Sequence, residues 1–114
     1  MLKINLQKSM AEMLVLAILN KGDMYGYQLI QTLKESSSNF FLLKEGTLYP
    51  ILYRLEENGF AISQWTTPKD GKAPKKFYQI TVAGKKELER QLALWSDFSA
   101  TVGTMITPTR EENL

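Results

Sequence analysis

Cysteine and histidine are both missing from the 114-residue chain, and the two absences remove most of the familiar site chemistry. Without a thiol there is no disulfide, no thiolate nucleophile and no Cys–His pair. Without imidazole there is no Ser–His couple, no histidine acid–base catalyst and none of the usual zinc sites. Carboxylates, Ser, Lys and Tyr remain, but no catalytic constellation forms among them. No uninterrupted apolar run is long enough to span a bilayer, and the N-terminus lacks the basic-then-apolar pattern of a signal peptide. Neither sign of charge dominates: Lys and Arg number 14 against 12 Asp and Glu, a net charge of +2. Any nucleic-acid surface therefore has to come from local clustering, or from doubling in an oligomer. The length suits one small domain with its own core. The expectation is a cytoplasmic, non-enzymatic protein that holds no metal, needs no cofactor and does not enter a membrane.

What is there centres on Glu45 to Phe60. Leu48, Ile51, Leu52 and Leu55 recur at the i, i+3, i+4, i+7 spacing of one helical face. Gly59 follows the last periodic residue, where a left-handed helix end favours glycine. Thr47, Pro50, Tyr53, Arg54 and Glu57 point the other way, with Tyr49 on the flank. A solvated face would carry mostly Lys, Glu and Gln. Tyrosines, a threonine and an arginine can instead hydrogen-bond phosphates and base edges, or touch thymine methyl groups. Pro50 suits an early-turn position, because the first amides of a helix have no internal acceptor. The spacing predicts a helix that packs on one side and reads something on the other. A core helix with incidental surface tyrosines is the plainer alternative.

Before it, Gln7 to Leu19 carries Met10, Met13, Leu14, Ala17 and Ile18 at helical spacing, and Val15, Leu16 and Leu19 widen the apolar surface. A helix apolar on most sides is buried on most sides, which predicts contact with both its own core and another subunit. A second helix is expected from Met24 to Glu35, with Gly26, Leu29, Ile30 and Leu33 on one face. Gly26 costs about 1 kcal/mol relative to alanine in a helix interior, so it is expected to admit a neighbouring element. Tyr25 and Tyr27 are either core-edge residues or phosphate contacts. Ser36 to Asn39 is a loop, and Phe40 to Leu43 an apolar bridge with a short strand among its options. Helix, connection, helix is the outline of a helix-turn-helix variant.

After Gly59, residues 61–67 and 76–80 have strand composition. Pro68 to Lys75 between them reads as an exposed hairpin tip. With Lys76 it holds four lysines against a single aspartate. Such a tip is either simply solvated or a wing that grips phosphate. Thr81 can cap a last helix from Val82 to Ile106. Leu88, Leu92, Trp95, Ser99, Val102 and Ile106 form a heptad-like seam along it, widened by Leu94, Phe98 and Met105. This helix follows a core that is already complete, so its apolar face calls for a partner, either its copy in a second subunit packed together with the first helix or the chain's own body alone.

Three segments resemble the PadR family of bacterial transcriptional regulators. They are Tyr25-Gly26-Tyr27-Gln28-Leu29; Glu45-Gly46-Thr47-Leu48-Tyr49-Pro50 with Arg54-Leu55-Glu56 and Gly59; and Gly71-Lys72 with Pro74-Lys75-Lys76-Phe77-Tyr78-Gln79-Ile80-Thr81. The resemblance implies a winged helix-turn-helix that dimerises through its final helix, helped by the first. It implies a DNA-binding regulator, in most members a repressor, released in some by a small molecule. By position, Thr47, Tyr49, Pro50, Tyr53 and Arg54 fall on the recognition helix, and Lys72, Lys75 and Lys76 on the wing. Tyr25 and Lys44 complete the expected DNA-contact set. Arginine is common on the family's wing; lysine keeps the charge but loses the bidentate fork, so this wing should grip phosphate more than read bases. The chain is similar to the shorter subfamily, whose multidrug-binding members carry a tryptophan on the last helix. Trp95 is similarly placed, with Phe98 nearby, Asp97 as a partner for a cation, and Met10 and Leu14 from the first helix. Trp95 either stacks a planar aromatic ligand or fills the dimer seam.

The expected architecture is mainly α with a small β-hairpin. A winged helix-turn-helix domain covers residues 1–80, its N-terminal helix also at the dimer interface. A C-terminal dimerisation helix covers 81–107, and a flexible tail 108–114. The expected partners are double-stranded DNA, a second copy met through Leu88, Leu92, Trp95, Val102 and Ile106, and a hydrophobic or cationic aromatic effector. The alternative is a winged-helix protein–protein interaction module whose tyrosine-rich face binds a partner without specific DNA binding.

Overall fold

The apolar spacing just described builds four helices around a small sheet. The computed structural model describes residues 2–107, with side chains from Met10 onward. In chain order these are α1 (Leu2–Leu19), β1 (Met24–Tyr25), α2 (Gly26–Ser36), α3 (Glu45–Glu57), β2 (Ala61–Thr66), β3 (Lys75–Ile80) and α4 (Val82–Ile106). The strands lie in the order β1-β3-β2, each pair antiparallel.

From Met10 onward helix α1 is apolar nearly all round, and that part is buried accordingly. Ala11, Met13, Val15, Leu16, Ile18 and Leu19 sit in one core with Leu29 and Leu33 of α2, Leu48, Ile51, Leu52 and Leu55 of α3, Tyr78 of β3 and Leu88 of α4. Each fully buried leucine of this set contributes about 1.5–3 kcal/mol. Met10, Leu14 and Ala17 are half-buried against its edge. Helix α3 stops where its glycine stands: Gly59 has φ +76°. The Phe60 amide donates to the Leu55 carbonyl at 2.8 Å and the Gly59 amide to Glu56 at 3.0 Å, the paired bonds of a glycine-terminated helix. Thr81 then starts α4. Its hydroxyl accepts from the Gly84 amide at 2.9 Å and donates to the Gly59 carbonyl at 2.6 Å, so one side chain joins the end of α3 to the start of α4.

The structure departs from expectation in several places. Helix α1 begins at Leu2 rather than Gln7. Met24 and Tyr25 are not helical; they pair with Tyr78 and Phe77 and make the hairpin a three-stranded sheet. Helix α2 therefore starts at Gly26, where the Gln28 side chain accepts from the Tyr25 amide at 2.8 Å. Phe40 to Leu43 form no strand. Ser38 and Asn39 take left-handed φ values of 52° and 70°, which turn the chain so that Leu43 plugs the core and Phe41 packs beside it. Pro50 lies in the interior of α3, not its first turn. Leu88, expected on the dimer seam, is only 4% exposed and belongs to the chain's own core. The expected tail over 108–114 lies outside the described residues.

Candidate nucleic-acid interface

The four leucine and isoleucine anchors of α3 turn Tyr49, Pro50, Tyr53 and Arg54 outward; all four are exposed, Tyr53 by 64%. Arg54 stands between two shallow grooves. One is lined by Gly46, Thr47, Pro50 and Ile51, the other by Tyr49, Tyr53, Glu56, Lys76 and Tyr78. Among the described residues no ion pair holds Arg54, so its guanidinium is available. Pro50 has no amide hydrogen and cannot cap the carbonyl of Gly46, four residues earlier. Lys44 precedes α3 as its N-cap residue and is exposed.

Two other elements flank this face. At the start of α2, a Cβ on Gly26 would come within 2.6 Å of the Tyr49 hydroxyl. The glycine thus lets a tyrosine of α3 lie against α2, as its placement in the sequence predicted. Tyr25 and Tyr27 stack in parallel at 5.9 Å, and the Lys75 ammonium lies 5.9 Å from each ring centre. These three residues, with Tyr49, Trp65 and Lys76, line an open cleft of about 410 Å³ between α2, α3 and the sheet. Lys72 sits at the hairpin tip, 3.6 Å from Asp70 in an exposed pair. Pairs of that kind are weak and yield readily to another anion. Lys76 is different. Its ammonium is 3.9 Å from Glu56 and lies over the rings of Trp65 and Tyr78. Burial pushes the Tyr78 hydroxyl up from its usual pKa, and the charge of Glu56 adds to the effect.

An outward-facing α3 beside a basic hairpin on a buried helical scaffold matches a known pattern. Residues 15–90 match the transcriptional regulator PadR-like family. The chain belongs to that family. The PadR-like regulators are winged-helix transcriptional regulators, not enzymes. The chain is similar to the negative transcriptional regulator PadR of Bacillus subtilis, at 35% identity over 88 residues, 77% of this chain. The match covers 48% of that longer protein. It is similar to the solved PadR family transcriptional regulator of Eggerthella lenta, with TM-score 0.82 and 29% identity over 93% of this chain and 89% of that one. A transcriptional regulator from Clostridium thermocellum also superposes with TM-score 0.82, covering 90% of this chain and 99% of that one; at 23% identity it speaks for the fold. Among the described residues no helix is long and apolar enough to cross a membrane.

Within this PadR-like frame, adjoining grooves bring together Tyr25, Thr47, Tyr49, Pro50, Tyr53, Arg54, Lys75 and Lys76, with the Lys76 ammonium engaged by Glu56, whereas Lys44 at the start of α3 and Lys72 at the hairpin tip line none of these grooves. The effector candidates are arranged otherwise. Trp95 and Phe98 of α4 are 6.3 Å apart with rings tilted by 32°. Both are exposed, as are Asp97, Leu92 and Ile106, and Val102 is half-buried. Farther up α4, hydrogen bonds from Arg90 and then Gln91 hold the Glu87 carboxyl down to about 2. Gln91 also reaches Glu12 of α1 at 3.4 Å, which fixes the two helices side by side. Sequence reasoning missed Trp65 and Glu56 as parts of the interface. Trp65 was signalled only by strand alternation, which does not tell which face meets α3, and Glu56 only by its place on the polar side of that helix.

Proposed function

We propose that the chain is a homodimeric repressor that reads a palindromic operator. The outward face of α3, bearing Thr47, Tyr49, Tyr53 and an unpaired Arg54 beside the lysine hairpin, is the observation that carries this reading. Two copies of α3 enter successive major grooves about one helical turn apart. Lys72 and Lys75 grip the flanking phosphates. The likeness to a negative transcriptional regulator supports repression over activation.

The test is a titration against a promoter fragment of the protein's own gene, with random DNA as competitor. Arg54→Ala should weaken specific binding by about 1–3 kcal/mol while leaving random-sequence binding nearly unchanged. Lys72→Ala should weaken binding to every sequence and reduce the salt slope by about one. Wild-type binding no tighter than to random DNA would hand the tyrosine face to a protein partner instead.

An effector enters the same reading. A planar aromatic cation stacks between two copies of Trp95, with Phe98 and Asp97 beside it and Met10 and Leu14 behind. Such cations should quench the intrinsic fluorescence, and Trp95→Phe should remove most of the quenching while Trp65 still emits. Equal quenching in the variant rules out Trp95 as the stacking platform.

A further inference from the structure

We propose that Lys76 and Glu56 form a strut that sets the angle of the wing against α3, making Lys76 a positioning residue and not a phosphate contact. The inference rests on the DNA-binding reading above and gives one of its wing lysines a different task. Strand register pairs Trp65 with Lys76 and Ser63 with Tyr78. Directly opposed residues of antiparallel strands share a face, and so do residues two apart. All four side chains therefore stand on one side of the hairpin, toward the last turn of α3. There one carboxylate meets both strands: Glu56 accepts from the Ser63 hydroxyl at 2.9 Å and faces the Lys76 ammonium at 3.9 Å. That ammonium also lies 5.9 Å from the Trp65 ring centre and 5.6 Å from that of Tyr78. The Lys76 side chain is 36% exposed, against 72% for Lys72 at the tip.

The position of Glu56 supports the same conclusion. A carboxylate in the last turn of a helix faces the negative end of the helix dipole, and beside a DNA surface it repels phosphate. Neither helix stability nor simple DNA attraction favours an acid there. Bonds to both wing strands do. The wing must hold one fixed angle for its tip lysines to meet phosphate while Arg54 is seated in the groove. A lysine engaged by a carboxylate and two aromatic faces can hold that angle, but it has little left to offer a phosphate.

The emission measurement uses the full chain carrying Trp95→Phe, so that Trp65 is the one tryptophan left of two; the promoter titration uses the full chain with Trp95 in place. Without DNA, Lys76→Met and Glu56→Gln should each shift the Trp65 emission, and Lys76→Arg should not. With the promoter fragment, Lys76→Met and Glu56→Gln should each lower specific affinity roughly 5- to 20-fold. The double variant should be no worse than either single one, the salt slope should stay unchanged, and Lys76→Arg should restore binding. Glu56→Gln is the sharpest arm, because removing a negative charge near DNA tightens binding unless the carboxylate is holding something in place. Tighter binding by Glu56→Gln would overturn the strut. So would a slope lowered by Lys76→Met as it is by Lys72→Ala, or Trp65 emission indifferent to both variants. Should the wild-type chain prefer no DNA sequence, the DNA-binding reading fails, and the emission measurement still decides whether the strut exists.

Discussion

Gly84→Ala should destabilise the chain by roughly 2–3 kcal/mol, although the same change on an open helix would stabilise it by up to about 1 kcal/mol. The sign is set by what a Cβ would meet. On Gly84 it would collide with the carbonyl oxygen of Phe60, and it would lie 2.8 Å from a side-chain carbon of Ile80. That carbonyl has no freedom to withdraw. It accepts from the Thr81 amide at 3.1 Å and sits one residue beyond the left-handed Gly59 that ends α3. Relief requires α4 to back away, which breaks the bonds that Thr81 donates to the Phe60 and Gly59 carbonyls. Thermal denaturation should show a fall of roughly 10 °C. An unchanged or raised midpoint would mean that α4 is not seated on the end of α3 in this way. Gly26→Ala makes an instructive contrast. Its clash is with the end of the Tyr49 side chain, which can swing aside at lower cost.

What the sequence disclosed is what local rules govern. The bounds of α4 and the end of α3 follow from a cap, a glycine and apolar spacing, all short-range. Gly84 gave no sign of its role, because nothing nearby in the chain says that a helix start will press on the backbone of Phe60. Strand β1 is two residues long and exists only through pairing with β3, more than fifty residues later, so periodicity could not reveal it. Lys76 was grouped with the tip lysines because composition counts charge without telling which way it faces. Its partner Trp65 lies across a loop spanning residues 67–74, and the register over such a loop is not written in its residues. Leu88 shows the limit of a heptad pattern. Periodicity identifies which residues share a face, but not where the chain's own body stops covering it.

That boundary on α4 leads to the other large effect. Leu92→Asp should turn the proposed dimer into a monomer and abolish tight operator binding. The apolar stripe of α4 begins inside the chain's own core at Leu88 and then runs past it. Leu92 and Trp95, one turn and two turns on, are each 43% exposed, and Ile106 is 73% exposed. The described residues leave much of this stretch uncovered, and in the proposed dimer a twin helix covers it by continuing the same packing. In the proposed dimer a carboxylate at Leu92 enters the seam twice. Association should weaken by at least roughly 100-fold, about 2.7 kcal/mol. Operator affinity should fall at least as far, because two linked recognition helices bind roughly 10²- to 10⁴-fold better than one. Sedimentation velocity reads the first effect and the promoter titration the second. Circular dichroism should stay helical, since Leu92 lies outside the chain's buried core. A mass that remains dimeric would move the interface away from this face. A halved mass with undiminished operator binding would show that one recognition helix suffices, and the palindrome would no longer be required.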